Sequence, residues 1–346
     1  MPTPFAINGF GRIGRALARI AHERDDLQWV AVNDLAPAGT LARLLARDSV
    51  HGPFAGRVEA DGDDTLLVDG RRIAVYRHPA PSDVPWQDTA AAVVVEATGT
   101  ATRRADAARH LRPNGPSKVV ISAISEDADW MGCRGIEGEP YDPARHHVIS
   151  NASCTTNCLV LLLDVLRREF GLRHALMNEV HSYTGNQNLM DGTHDDPRRG
   201  RAAAVNIVPT HTAAPAAAQR IIPELRGKVD GIAVRVPTPN VALLDLVARL
   251  ERPASASEVR RAFKTHADGR LRGLLAVSDE PLVSSDYIGD GHSAVVDAAL
   301  IQSLDPPTDD GPSDTPLVRV VAWYDNEWGY ARRLADLVAR IGDCIS

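Results

Sequence analysis

Three glycines near the amino terminus constrain this chain more than any other feature. Phe5-Ala6-Ile7 reads as a short apolar strand. From it, Asn8-Gly9-Phe10-Gly11-Arg12-Ile13-Gly14 leads into a helical pattern carried by Ala16, Leu17 and Ile20. Glycine at the first position permits a tight turn, at the second lets a ligand approach the backbone, and at the third lets helix and strand pack closely. A second strand, from Leu27 to Val32, completes a βαβ unit of the dinucleotide-binding kind. It ends in Asn33-Asp34, twenty residues past Gly14. An acidic group there accepts hydrogen bonds from ribose hydroxyls and repels a 2′-phosphate. Without these flanking elements the glycines would be only a turn.

The α/β alternation continues. A helix is expected over 37–48 and hairpins over 57–76, broken at Asp61-Gly62-Asp63-Asp64 and Asp69-Gly70. The near-continuous apolar run Ala91–Ala97 fits a strand buried on both faces and ends at Thr98-Gly99. A helix over 102–111 and a strand at 118–122 follow. Beyond residue 152 the pattern changes to strands at 174–182, 229–236, 241–250, 293–302 and 317–324, with a helix at 257–267. The expected architecture is α/β: a Rossmann-type doubly wound parallel sheet plus an α+β catalytic domain with a mainly antiparallel sheet. The first domain would span 1–152, completed by a C-terminal helix over 327–346, and the second would span 153–326. A long polar segment, 183–208, reads as a functional loop, and Asp305–Pro312 as a mobile surface loop.

A net charge of −7 argues against broad affinity for nucleic acid or membrane surfaces. Cysteines at 133, 154, 158 and 344 are too few and too irregular for a disulfide framework, and no metal site is expected. The amino-terminal segment lacks a secretion-signal layout and no apolar run matches a membrane span, so the expected compartment is the cytoplasm. Lysine occurs only at 118, 228 and 264, which leaves no easy Schiff-base candidate.

The chemistry centres on Asn151-Ala152-Ser153-Cys154-Thr155-Thr156-Asn157-Cys158, between a β-branched run and a buried helix. At such a turn the helix N-terminus stabilises a thiolate and offers N–H groups to an oxyanion. Taken alone, Cys154 reads more readily as a packed thiol, and Cys158 as a packed helix residue. His181 ends the 174–182 strand and is either the base a catalytic cysteine needs or a structural histidine. Arg198, Arg199, Arg201 and Arg235 fit a phosphate-bearing substrate, or a solvated surface.

Six segments together carry a family resemblance. They are Asn8–Arg15, Ser150–Cys158, His181–Thr184, Arg198–Ala204, Ala233–Asn240 and Trp323-Tyr-Asp-Asn-Glu-Trp-Gly-Tyr330. The chain resembles the phosphorylating glyceraldehyde-3-phosphate dehydrogenases from its first strand to its last helix. The resemblance implies that Cys154 is the nucleophile, forming a thiohemiacetal and then a thioester. His181 would lower the thiol pKa and serve as base. Gly9, Phe10, Gly11, Arg12, Ile13, Asp34, Arg77, Thr98, Gly99, Ser122, Asn326 and Tyr330 would bind NAD. Thr184 and Arg235 would hold the substrate's phosphate. Ser153, Thr155, Thr212 and Ala213 would surround the attacking inorganic phosphate, with Arg199 shared between the two sites. A homotetramer is also implied.

Departures from the family pattern keep alternatives in view. Ala213, Pro215 and Ala216 replace a glycine, an alanine and a lysine, and His211 is new beside them. A methyl group at 213 would crowd the phosphate or force φ. Gly192-Thr193 stands where members preferring NAD carry a leucine and proline, leaving NADP open. Met131-Gly132-Cys133-Arg134 is also unlike the family. The competing readings are an erythrose-4-phosphate dehydrogenase, a member using arsenate as acceptor, and a non-catalytic binding module.

Overall fold

Residues 1–136, 138–304 and 317–345 are described by a computed structural model of the chain, so the Asp305–Pro312 loop lies outside the described residues. The chain divides into two units. Met1–Arg134, Glu139–Ser153 and Tyr330–Ser346 make the first; Gly135–Gly138 and Cys154–Gly329 make the second. Compared with boundaries at 152 and 327, Ser153 joins the first unit, residues 327–329 join the second, and a short excursion at 135–138 belongs to the second. That excursion is tied by Arg270, which donates to the Gly135 carbonyl at 3.0 Å.

The first unit begins with β1 (Thr3–Asn8), α1 (Arg12–His22), β2 (Leu27–Asn33) and α2 (Ala38–Ala46). A two-residue ladder joins β3 (Arg47–Asp48) to β4 (Gly52–Pro53). Then come β5 (Val58–Ala60), β6 (Thr65–Val68), β7 (Arg71–Tyr76), β8 (Val93–Glu96), α3 (Arg104–Ala107), β9 (Lys118–Ile121), β10 (Trp130–Met131) and β11 (Val148–Ser150). One sheet orders nine of these as β10-β11-β9-β8-β1-β2-β7-β6-β5. It is parallel from β10 to β7 and antiparallel at β6 and β5. Asp69 (φ 48°) and Gly70 (φ 79°) supply the two left-handed residues of the tight β6–β7 turn. The strand order reverses between β1 and β8, which is where open α/β sheets bind ligands.

Two elements here differ from the sequence expectation. α2 stops at Ala46, two residues short of 48, because its last carbonyls find donors outside the helix: Arg19 bonds Leu45 O at 2.7 Å and the Phe54 N–H bonds Ala46 O at 3.0 Å. The helix expected over 102–111 is the four-residue α3 followed by a 3₁₀ turn at Ala108–His110. That turn places His110, fully buried, between Trp86 Nε1 at 2.9 Å and Glu96 at 3.0 Å. The unusual 131–134 segment also gains a reason. A Cβ on Gly132 would lie 2.3 Å from the Trp130 ring, and Arg134 pairs with Asp336 at 2.9 Å.

The second unit runs α4 (Cys154–Phe170), β12 (Leu172–Ser182), β13 (Val208–Thr210), α5 (Ala214–Ile221), β14 (Val229–Val236), β15 (Ala242–Leu250), α6 (Ala256–Asp268), β16 (Leu275–Ser278), β17 (Ala294–Asp297), β18 (Gln302–Leu304) and β19 (Leu317–Tyr324). α7 (Trp328–Ile345) follows, and from Tyr330 it counts with the first unit. The sheet order is β13-β14-β12-β15-β19-β17-β16, with β18 also on β19. It is mainly antiparallel, but β12–β14 and β16–β17 pair in parallel. The strand expected over 293–302 is interrupted: Asp297 accepts from the Ala299 N–H and caps a 3₁₀ turn at Ala298–Leu300. α6 opens with a capping box between Ser255 and Glu258. α4 is buried along nearly its whole length, because Leu159 to Leu163 and Val165-Leu166 present apolar groups on all sides.

Candidate active site

The first unit contains a cleft of about 430 Å³ at the β1/β8 switch point, lined in part by Asn8, Gly9, Gly11, Asp34 and Thr98. Gly9 has φ 92°, and a Cβ there would lie 2.7 Å from the Thr98 backbone nitrogen. A Cβ on Gly14 would lie 2.3 Å from Gly9 O, whereas Gly11 has open space beside it. Two glycines therefore close the turn and the middle one leaves its backbone approachable. The backbone N–H of Phe10 donates to Asp34 Oδ2 at 2.8 Å, while its ring is buried against Trp29. Ala36 N–H bonds Asp34 Oδ1 at 3.1 Å, so two N–H groups aim the carboxylate.

Other residues assigned to the cofactor fall in less direct places. Arg12 and Ile13 open α1, and the Arg12 guanidinium is engaged by Asp48. Arg77 is exposed and bonds Leu35 O at 3.3 Å. The Thr98 hydroxyl and N–H are both held by Glu96, Gly99 adopts φ 74°, and the Ser122 N–H donates to Glu96 O at 2.9 Å. Asn326 belongs to the second unit, where its Oδ1 accepts from the Ser182 hydroxyl at 3.0 Å. Tyr330 belongs to the first, where its hydroxyl donates to Ala152 O at 2.9 Å. The cleft fits a dinucleotide in kind: an approachable glycine backbone, a helix N-terminus and a fixed carboxylate.

In the second unit Cys154 is the first residue of α4. Ala152, two residues earlier, holds φ 53°, a left-handed value rare for a residue with a Cβ. Cys154 Sγ lies 3.6 Å from His181 Nε2. The His181 Nδ1 lies 2.7 Å from Ser182 O; the tautomer with its proton on Nδ1 satisfies that carbonyl and leaves Nε2 as the acceptor facing sulfur, whereas the Arg235 donor beside Nδ1 favours the other. Arg235 also donates to Ser182 O, at 3.0 Å, and its terminal nitrogen is 2.6 Å from Nδ1. Burial pushes the Cys154 thiol up to about 11, with Glu179 adding to the rise; the Thr155 side chain, Arg235 and the Thr155 backbone oppose it. Burial likewise pulls the His181 imidazole down to about 4, assisted by Arg235 and opposed by Glu179. Each charge alone is disfavoured. Moving a proton from sulfur to Nε2 creates both together without changing the net charge of the site. Cys158 is fully buried in α4, and burial raises its thiol well above the ordinary value.

The anion-binding candidates are anchored in different ways. Arg199 bonds Thr210 Oγ1 at 2.9 Å and His211 O at 3.2 Å, which fixes it beside the 211–213 turn. Thr212 Oγ1 accepts from Ala214 N–H at 3.3 Å, at the start of α5. Ala213 has φ −89° and ψ 2°, so its methyl group forces no left-handed backbone, and Pro215 sits in the first helical turn, where its missing N–H costs nothing. Thr184 donates to Asn186 Oδ1 at 2.6 Å. Ser153 is half-buried and precedes the cysteine. Thr155 is buried, its hydroxyl donating to Glu179 Oε1 at 2.5 Å and lying 2.9 Å from the Tyr324 hydroxyl.

Glu179 and Tyr324 are the residues that sequence reasoning missed. One signal was present for Glu179. β12 buries Ala175, Met177, Glu179 and His181 on one face, so a carboxylate falls in an apolar register two residues before the histidine. Among the described residues no cluster of His, Cys, Asp or Glu could hold a metal ion.

Comparison with known proteins agrees along the whole chain. The family described as "Glyceraldehyde 3-phosphate dehydrogenase, NAD binding domain" matches residues 3–104, and "Glyceraldehyde 3-phosphate dehydrogenase, C-terminal domain" matches residues 153–326. A glyceraldehyde-3-phosphate dehydrogenase of Geobacillus stearothermophilus is 47% identical over 341 residues, covering 99% of this chain and 98% of its own. The Bacillus subtilis glyceraldehyde-3-phosphate dehydrogenase 1 is 46% identical at the same coverage. One from Mycobacterium avium is 45% identical, covering 99% of both chains. With a glycine-turn cleft in one unit, a paired thiol and imidazole in the other, and relatives matching end to end, the chain belongs to the glyceraldehyde-3-phosphate dehydrogenase family.

Proposed function

We propose that this chain oxidises glyceraldehyde 3-phosphate to 1,3-bisphosphoglycerate, using NAD and inorganic phosphate. Membership of the family makes it an NAD-dependent dehydrogenase. The observation that carries the mechanism is the 3.6 Å approach of Cys154 Sγ to His181 Nε2 at the start of α4. Cys154 attacks the aldehyde carbon as its proton passes to Nε2, and the Cys154 backbone N–H helps hold the resulting oxygen. Nε2 returns that proton to the oxygen, giving the thiohemiacetal and a neutral His181, which then takes the hydroxyl proton as the C–H bond gives up its hydride. Bound NAD supplies the hydride acceptor for this step. The thioester then meets an oxygen of inorganic phosphate; the C–O bond forms, the C–S bond breaks, and the thiolate leaves.

Gly9, Phe10, Gly11, Arg12, Ile13, Asp34, Arg77, Thr98, Gly99, Ser122, Asn326 and Tyr330 hold the cofactor in this reading. Arg235 and Thr184 bind the substrate's phosphate, which also offsets the repulsion between Arg235 and a protonated His181. Arg199, Ser153, Thr212 and Ala213 receive the attacking phosphate. Thr155, its hydroxyl engaged by Glu179, contributes through its backbone. We further propose a homotetramer. The outward sheet face exposes Leu176, Ile232 and Val247 on adjacent strands, and the 183–208 segment exposes Leu189, Met190, Val205 and Ile207. A cytoplasmic location is supported by four free cysteines, and no described helix is long and apolar enough to cross a membrane.

An absorbance matrix at 340 nm tests the whole reading (the wavelength at which reduced nicotinamide absorbs). It crosses NAD or NADP with glyceraldehyde 3-phosphate or erythrose 4-phosphate, and with phosphate, arsenate or neither. Signal confined to NAD, the three-carbon aldehyde and phosphate is expected. A faster rate with NADP, the four-carbon aldehyde or arsenate would reassign the chain to a specialised dehydrogenase. Silence throughout would favour a binding module.

A further inference from the structure

Glu179 is 3% exposed and lies on β12 two residues before the base. Its Oε1 is 3.6 Å from His181 Nε2, the nitrogen that faces sulfur. A carboxylate so placed needs partners, and it has two kinds. The Thr155 hydroxyl donates to it from α4, and the Tyr324 hydroxyl on β19 lies 2.9 Å from the Thr155 oxygen. The second partner forms only during reaction: an imidazole that has gained a proton. On the opposite side of the ring Arg235 stands 2.6 Å from Nδ1. His181 is thus set between a cation near Nδ1 and an anion near Nε2.

We propose that Glu179 is a positioning residue that holds the proton His181 Nε2 takes up, by placing a carboxylate beside the imidazolium. This rests on the functional reading above and deepens it. When the S–H bond of Cys154 breaks, its electron pair stays on sulfur for attack and its proton forms the Nε2–H bond. The new positive charge then lies between Arg235, which opposes it, and Glu179, which offsets it. Several charged or titratable groups among the described residues face this pair. Cys154 and Cys158 approach from α4, Tyr324 from β19, Arg235 from β14, and Arg199 from the segment before β13. On β15 the neighbours of Glu179 and His181 are Leu244 and Ala242, which carry no charge. Arg199 and Arg235 are the positive groups in this set, and Glu179 is the carboxylate that neutralises an imidazolium among them. The same charge opposes a bare thiolate, so Glu179 favours a base that accepts protons over a thiol that ionises without one.

The test separates these effects. In a Cys154→Ser background the thiol no longer couples to the ring, and NMR can follow the His181 imidazole, assigned by its loss in His181→Asn. Adding Glu179→Gln keeps the acceptor for Thr155 but removes the charge. It should lower the imidazole titration by about one pH unit, in line with loss of an opposite charge at this range. In the otherwise intact enzyme, Glu179→Gln should cut kcat by about tenfold, leaving KM for the aldehyde within about twofold, because the residue touches no phosphate. Glu179→Asp keeps the charge and should show smaller changes in the same directions; it carries the test if the Gln variant does not fold. An unchanged imidazole titration, or a larger shift for Asp than for Gln, overturns the proposal. A wild-type chain inactive on triose phosphate would sink the functional reading, while the titration would still decide the Glu179 pairing.

Discussion

The cleft in the first unit is made of backbone, whereas the site around Cys154 is made of side chains. In the cleft, glycines shape the turn, N–H groups aim Asp34, and the space stands open to solvent. Around Cys154, His181, Glu179, Thr155 and Tyr324 are buried, and the Thr155 hydroxyl links Glu179 to Tyr324. A backbone-built site tolerates change at most positions and fails where a Cβ is forbidden. A buried side-chain network fails wherever a donor, acceptor or charge is removed, because a low dielectric magnifies each one.

That contrast can be broken in order of expected effect. Cys154→Ser should abolish turnover, about ten-thousandfold or more, while fluorescence titration with NAD stays close to wild type. Lost cofactor binding would show that the two sites are not separable. Gly9→Ala brings a methyl group within 2.7 Å of the Thr98 nitrogen at φ 92°. It should weaken NAD about a hundredfold or more, the cost of forcing a left-handed residue against backbone, yet leave Cys154 alkylation intact. His181→Asn should slow iodoacetamide alkylation of Cys154 at pH 7 by about tenfold or more. The sign follows from burial: the thiol is already pushed up to about 11, and without Nε2 to take its proton no thiolate–imidazolium pair can form, so less thiolate exists at neutral pH. An unmoved rate–pH curve would remove His181 from thiol activation. Asp34→Ala should raise the KM for NAD by about tenfold and that for NADP by less, since the lost hydrogen bonds go to the ribose. Equal losses would mean that Asp34 only braces Phe10 N–H.

The same contrast explains what was legible beforehand. Gly9, Gly11, Gly14 and Asp34 act through local chain geometry, so their spacing carries their meaning. Cys154 at its strand-to-helix turn and His181 at its strand end were ambiguous as local signals, and the family resemblance of the segments around them is what singled them out. Glu179 was not, because its role depends on Thr155 and Tyr324, which lie 24 and 145 residues away in the sequence. The shortened α3 and the break at 298–300 escaped for a similar reason. His110 is drawn in by Trp86 and Glu96, and Asp297 turns back on Ala299 instead of extending the ladder. Pro215 stands out in the sequence only as a departure from the family pattern, and in the first turn of α5 its ring suits the helix.

Ala152, with its left-handed φ of 53°, has a consequence for how variants of this chain should be selected. Ala152→Gly would relieve a steric cost of about 1 kcal/mol, yet it loosens the unfolded chain by a similar amount, so the melting temperature would barely move. Libraries ranked by thermal survival would be blind at this position. Libraries ranked by turnover would test it directly, since glycine widens the backbone freedom two residues before the sulfur.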